Sequence, residues 1–293
     1  MHEPKKLVLV TGASGAIGRD YLEEFSELPE FDCVAIARRE FETSADNFTF
    51  LELDLLDEAK VNESIQTIDF SVYSEVVFIH SVGMFKYEPN GEPSIDNDED
   101  GIDDEVYKTN IETFVNIIKP LYKRMLQSEE GFKLSLYGMG SVSDKHQIKY
   151  WQSYTKSKNI LRSIIYNLIQ ENPEQVKGMM FNVSTVDTEK ENELRPNAEK
   201  TYWLSGKEIA VATLPFIIKG KFGEWKELDI FKNSPLFEDG YYENLSEIRK
   251  RWEQQMKQNE NPGENIFEEI DGEVATRLFE AKPPLDGPFF KFR

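Results

Sequence analysis

Cysteine is almost absent from this chain: Cys33 is the only one in 293 residues. An internal disulfide is thereby excluded. With three histidines, no CxxC pair and no Cys/His cluster, nothing has the ligand spacing of a structural zinc, so no metal is expected. A reducing compartment fits this composition, and a cytoplasmic protein is expected. Long hydrophobic runs are missing too. The N-terminal one, Leu7 to Val10 with Thr11, falls far short of the ~20 residues of a membrane span or of a signal-peptide core. Basic residues are few beside acidic ones, 34 against 54, for a net charge of -20. That charge repels a phosphate backbone and anionic lipid alike, so neither nucleic acid nor membrane is expected as a partner.

What is abundant is core material. The chain is 39% hydrophobic with 20 Phe and 12 Tyr, enough for one main core with additions. Short β-rich runs alternate with amphipathic stretches over the first 230 residues, the pattern of βαβ units around a parallel sheet. Strands are expected at Lys6–Val10, Cys33–Ala37, Phe48–Leu53, Val76–His80, Phe132–Leu136, Val176–Val183 and Glu224–Ile230. Helices are expected from the glycines after residue 11 to about Leu28, then at Val106–Gln127, Tyr150–Gln170, Ser205–Ile218 and Leu245–Gln258. Tyr87 to Glu105, rich in Pro, Gly and acids, reads as an exposed loop. Its acidic run at 96–100 lacks the spacing of a calcium loop. Residues 231–293, aromatic, acidic and proline-rich, read as an extension packed on the 1–230 domain or on a partner subunit, not as a second sheet domain.

Thr11-Gly12-Ala13-Ser14-Gly15-Ala16-Ile17-Gly18 lies between a predicted strand and a predicted helix. In that setting glycines permit positive φ and let a pyrophosphate approach the amides at a helix N-terminus. Gly12, Ser14, Gly15, Ala16, Ile17 and Gly18 are therefore candidate cofactor contacts. Where an NAD enzyme commonly carries an acid for the ribose 2′-hydroxyl, this chain has Arg38-Arg39, which can pair with a 2′-phosphate. NADP(H) is accordingly favoured over NAD(H). Asp54 and Leu55 are expected near the adenine.

Tyr154 and Lys158 stand four apart near the start of a predicted helix, on one face. A free phenol, with pKa ~10, is a poor acid-base catalyst at neutral pH, but a neighbouring ammonium stabilises phenolate. Such a pair can protonate a carbonyl oxygen or deprotonate an alcohol. Thirteen residues upstream of Tyr154 lies Ser141, after a predicted strand. With these residues the chain resembles the short-chain dehydrogenase/reductase family, from about Lys6 to Ile230. The resemblance implies a Rossmann-type doubly wound parallel sheet with helices on both faces. It also implies that Ser141 (or Ser143) holds the substrate oxygen, that Asn110 in Tyr107-Lys108-Thr109-Asn110 holds a proton-relay water, and that Lys158 binds the nicotinamide ribose. By the same likeness Thr188 contacts the carboxamide, and Ser81, Val82 and Gly83 lie at the nicotinamide site.

The sequence departs from the family at Ser81-Val82-Gly83, where Asn-Ala-Gly is usual, and at Ser184-Thr185, where Pro-Gly is common. Glycines at 12, 15 and 18 follow the spacing of the extended branch, whereas the Ser-to-Tyr spacing is that of the single-domain branch. Three functions follow: an NADP(H)-dependent reductase or dehydrogenase of a carbonyl or alcohol substrate; a nucleotide-sugar epimerase or dehydratase; and a non-catalytic NADP(H)-binding regulatory protein. A homodimer or homotetramer is implied through the helices at 106–127 and 150–170, whose outward faces would otherwise expose apolar surface. His80 is expected to be packed, and His146 exposed. Residues 188–204, with Trp203, are expected to form a mobile substrate loop, and Phe231, Phe237, Tyr241, Tyr242 and Trp252 to serve packing.

Overall fold

The computed structural model describes residues 5–92, 101–127, 132–232, 241–257 and 273–280. Seven strands run parallel: β1 (Lys5–Thr11), β2 (Phe31–Ala37), β3 (Phe48–Glu52), β4 (Tyr73–His80), β5 (Lys133–Ser141), β6 (Val176–Val183) and β7 (Trp225–Lys232). The helices are α1 (Ala16–Ser26), α2 (Glu58–Gln66), α3 (Asp104–Tyr107), α4 (Thr113–Gln127), α5 (Gln152–Glu171), α6 (Glu189–Leu194), α7 (Gly206–Lys219) and α8 (Leu245–Met256). Strand order is β3-β2-β1-β4-β5-β6-β7-β8, the last being Val274–Phe279, antiparallel to β7. The order reverses between β1 and β4, and open α/β sheets bind ligands in the crevice at the carboxyl ends flanking such a reversal.

Period-two alternation divides the core between the two sheet faces. Leu7 and Leu9 of β1 with Val76 and Phe78 of β4 face α2, α4 and α5 through Val61, Phe114 and Leu161. Val8 and Val10 with Val77 and Ile79 face α1 and α7 through Phe25 and Ile209. Helices thus cover both faces, as expected. Helix α7 starts where its sequence says: Ser205 accepts from the Glu208 amide while the Glu208 carboxylate accepts from the Ser205 amide, a reciprocal cap.

Three sequence expectations are corrected. β5 continues past Leu136 to Ser141. Gly138 and Gly140 read as loop residues, but they sit in the strand because a Cβ at Gly138 would meet Met180 Sδ at 2.9 Å and one at Gly140 would meet Asn182 Oδ1 at 2.3 Å.

The described part of the 87–105 loop is not wholly exposed either. Glu88 and Asp103 are buried, and Glu88 accepts from the backbone amides of Gln152 (2.8 Å) and Ser153 (3.3 Å), capping α5 from a distant segment. The acidic run at 96–100 lies outside the described residues. The extension, for its part, contributes β8 to the sheet, a half-exposed strand of six residues whose weak alternation gives little sequence signal.

The argument for assembly loses its premise. Among the described residues of α4 and α5, Leu126 is the only exposed large hydrophobic. No described helix is long and apolar enough to cross a membrane.

Candidate active site at the carboxyl ends of the strands

The turn after β1 is built by close approach. Gly12 adopts φ +69°, a conformation that side chains disfavour. A Cβ on Gly18 would lie 2.3 Å from Gly12 O and 2.6 Å from Ser81 Oγ, so α1 can pack on the turn only without one. Ser81 donates to Thr11 O at 2.6 Å and ties the end of β4 to the same turn. Gly15 differs. A Cβ there would meet only Gly12 O, at 3.3 Å, so protein packing demands glycine less at this position. Gly15 is also the residue that caps α1, and it offers no side-chain cap to the first helical amides, which face the cavity described next.

A cavity of about 700 Å³ opens there, within the usual ~300–1,000 Å³ of ligand sites. It gathers most of the residues singled out from the sequence: Ser14, Gly15, Ala16, Ile17 and Gly18; Arg39; Ser81, Val82 and Gly83; and Ser141, Tyr154, Lys158 and Thr188. Gly12, Arg38, Asp54, Leu55 and Asn110 are not in its lining. Arg38 and Arg39 are both exposed, and Arg39 has no hydrogen bond or ion pair among the described residues. Asp54 closes a local turn onto the Leu56 amide (3.0 Å), and buried Leu55 accepts from Asn116 Nδ2 (2.9 Å). Both are occupied structurally.

Lys158 is 2% exposed, and no hydrogen bond or ion pair meets it among the described residues. Its Nζ lies 5.4 Å from the centre of the Tyr154 ring. Burial, opposed by nearby Asp144, lowers its pKa to about 8. Burial, with Asp144 and Glu191 next, pushes the Tyr154 phenol well up, while a hydrogen bond from Ser141 pulls it back. The phenol is therefore fully protonated at neutral pH. Ser141 Oγ is 3.0 Å from Ser143 Oγ and accepts from the Ser143 amide at 3.2 Å, so the two serines form one unit.

Asn110 is wholly buried within a π-helical turn, Lys108–Glu112, inserted between α3 and α4. Its Oδ1 accepts from the Met84 amide (2.6 Å), and its Nδ2 donates to Met84 O (3.0 Å) and Ser157 Oγ (2.8 Å). A Cβ on Gly83 would lie 3.1 Å from Lys158 Nζ and 3.7 Å from Asn110 Oδ1, which places the three together. Thr188 caps α6, accepting from the Glu191 amide at 3.2 Å. His80 is packed as expected, its Nδ1 2.9 Å from Thr11 Oγ1, and burial holds its pKa near 3, so it stays neutral. His146 is half-buried instead of exposed, and stacks on Tyr242 at 4.4 Å.

Sequence reasoning missed Trp151, Arg195 and Arg251, which complete the walls together with Tyr241, Tyr242 and Trp252. The last three were expected only to pack. Trp203 is buried at the same wall, and Phe237 lies outside the described residues. Arg195 lies in the 188–204 segment expected to form the substrate loop, but no local pattern marks the residues of the extension, which reach the cavity only in the folded chain.

The sequence pattern of the short chain dehydrogenase family matches residues 6–199, about two thirds of the chain. The protein belongs to that family of oxidoreductases. Among solved structures, the fold resembles aldohexose dehydrogenase of Thermoplasma acidophilum (18% identity, 77% of this chain and 92% of that one, TM-score 0.59). It also resembles 4-hydroxyisoleucine dehydrogenase complexed with NADH (18%, 77% and 97%, 0.60) and ElxO with NADP bound (17%, 82% and 99%, 0.60). No curated protein matches the sequence.

Proposed function

We propose that this chain is an NADP(H)-dependent oxidoreductase acting on a carbonyl or alcohol, with Tyr154 as the general acid or base. The observation that carries the reading is Lys158: a buried ammonium without a counter-ion, beside a phenol, in a cavity that also contains the glycine turn. A buried cation with no partner is costly unless a ligand supplies one. Ribose hydroxyls would do so.

The residues present fit a dinucleotide. Gly15 leaves open the space through which a pyrophosphate would approach the uncapped amides of α1. Arg39, unpaired on the cavity wall, supports a 2′-phosphate and hence NADP(H). The relatives solved with NADH and with NADP accord with either nicotinamide. When bound, the nicotinamide supplies or accepts a hydride.

Tyr154, fully protonated in the ligand-free protein, would donate its proton to the carbonyl oxygen. The phenolate left behind is stabilised by Lys158, whose charge persists at neutral pH because its pKa of about 8 is still above 7. Ser141, held by Ser143, would orient the oxygen. Asn110, whose side-chain amide is spent on Met84 and Ser157, would serve a relay water only through its main chain. Thr188, although it caps α6, can still donate its hydroxyl proton to a carboxamide oxygen.

Fluorescence titration with NADPH and NADH, followed by assays on a carbonyl panel with wild type and Tyr154→Phe, tests this. NADPH binds more tightly, and Tyr154→Phe lowers kcat about 10²–10⁴-fold while leaving NADPH affinity nearly unchanged. Unimpaired turnover by the variant would refute the role. Product without net NADPH consumption would instead indicate the epimerase or dehydratase.

A further inference from the structure

Resting on the reading of this cavity as the substrate site, the wall formed by α6, α8 and Tyr241 has a charge that the proposed cofactor does not explain. Arg195 is 6% exposed and well provided for: it pairs with Glu191, donates to Gln255 Oε1 (3.1 Å) and Thr185 Oγ1 (3.2 Å), and lies 4.1 Å from the Trp252 ring and 5.0 Å from the Trp203 ring. Arg251 lines the same wall, half-buried, with no ion pair or hydrogen bond among the described residues. The two guanidiniums are close enough for Arg251 to add to the burial that disfavours the charge on Arg195, and burial raises the Tyr241 phenol in the same wall although both cations oppose it. The chain has 54 acids and spends one on Arg195. None of the described acids pairs with Arg251.

An unanswered guanidinium beside a second cation, in a partly desolvated wall, invites an anion. A carboxylate suits it better than a phosphate dianion. Among the described residues of this wall only Arg251 is a positive charge without a partner, and Glu191 stands in the same wall to repel a second negative charge. Glu199, which also lines the cavity, is closed onto Thr201. An aromatic path joins this wall to the reacting group: Phe85 lies 5.1 Å from Tyr154 and 5.2 Å from Trp252, ring centre to ring centre. Phe85 thus bridges Tyr154 and α8, and with Trp151 and Trp252 it gives the cavity between the reacting group and Arg251 an aromatic lining that suits a flat apolar body.

We propose that the substrate is a carboxylated carbonyl compound with a flat apolar body, its carbonyl at Tyr154 and its carboxylate on Arg251. Reduction would take one hydride from NADPH to the carbonyl carbon and one proton through Tyr154 to the oxygen, giving the hydroxy acid and NADP⁺.

The test uses the full chain, wild type and Arg251→Gln, with NADPH affinity measured first. NADPH-loaded protein is titrated with benzoate, benzamide and inorganic phosphate, followed by tryptophan fluorescence, since Trp203 and Trp252 flank Arg195. Turnover is compared on 4-formylbenzoate and its methyl ester. Benzoate should bind at least tenfold more tightly than benzamide, and kcat/KM should favour the acid over the ester. Arg251→Gln should erase both preferences, with benzamide and NADPH affinity unchanged and Arg251→Lys intermediate. Equal binding of benzoate and benzamide, a preference that survives Arg251→Gln, or tighter binding of phosphate would overturn the carboxylate assignment and leave the cofactor reading standing. Failure to bind NADPH would overturn both.

Discussion

One helix carries two buried cations a turn apart, and they could hardly be treated more differently. Arg162, 3% exposed, donates to Asp144 at 3.0 Å, Asn182 Oδ1 at 3.0 Å and Asn159 Oδ1 at 2.6 Å, and pairs with Glu227 at 3.1 Å. The network runs on through Asn182 to Asp229, which pairs with Lys145 and with Arg277 of β8. Lys158 is equally buried and has nothing of the kind. Desolvation acts on both, but the carboxylates beside Arg162 outweigh it and raise that pKa, whereas at Lys158 desolvation prevails. A buried charge answered by two carboxylates is architecture. One left unanswered at a cavity is the kind that a ligand can complete.

Breaking the paired side should have the largest effect. Arg162→Met leaves Asp144 and Glu227 buried without their cation, and removing one partner of such a pair costs about 3–5 kcal/mol. The urea midpoint should fall accordingly. Because Asp144 also accepts from the Ser141 amide at 2.9 Å, kcat should fall with it. An unchanged midpoint would mean that the network contributes nothing.

The unpaired side should respond with the opposite sign. Lys158 titrates lower in the fold than in the unfolded chain, so folding disfavours its proton. The cost is full below about pH 8, fades as pH rises towards the unfolded value of 10.5, and is absent above it. Lys158→Met should therefore stabilise the ligand-free protein at pH 7 by up to about 2–3 kcal/mol while abolishing turnover. The advantage should shrink at pH 10. Urea midpoints at the two pH values check the sign, and a destabilised variant at pH 7 would mean that Lys158 has a partner after all.

The smallest effect tests the rim of the network. Asn159 is only partly buried, so water can replace its amide, and Asn159→Ala should cost about 1 kcal/mol. A loss as large as that of Arg162→Met would show that Arg162 depends on the rim more than on its carboxylates.

Much of this could be read along the chain wherever the information is local. The alternation at Leu7–Val10 and Val76–Ile79, the glycine turn, and the Ser141, Tyr154 and Lys158 spacing are short-range patterns, and the sheet order and cavity are built on them. The described core of the site failed to match expectation where neighbours in space decide. Glu88 caps a helix 64 residues away, and Gly140 belongs to β5 because it pairs with Asn182 of β6, whose side chain leaves no room for a Cβ.

By itself the sequence determined the parallel α/β architecture and the identity of the Tyr154–Lys158 pair, because hydrophobic period and i,i+4 geometry are properties of consecutive residues. Which cation is paired and which is bare was decided only by the tertiary structure, as was the enlistment of Trp252 and Arg251 from the extension as a cavity wall. Desolvation and ion pairing depend on what packs around a group, and those neighbours come from β5, β6, β7 and α8, which only folding brings together.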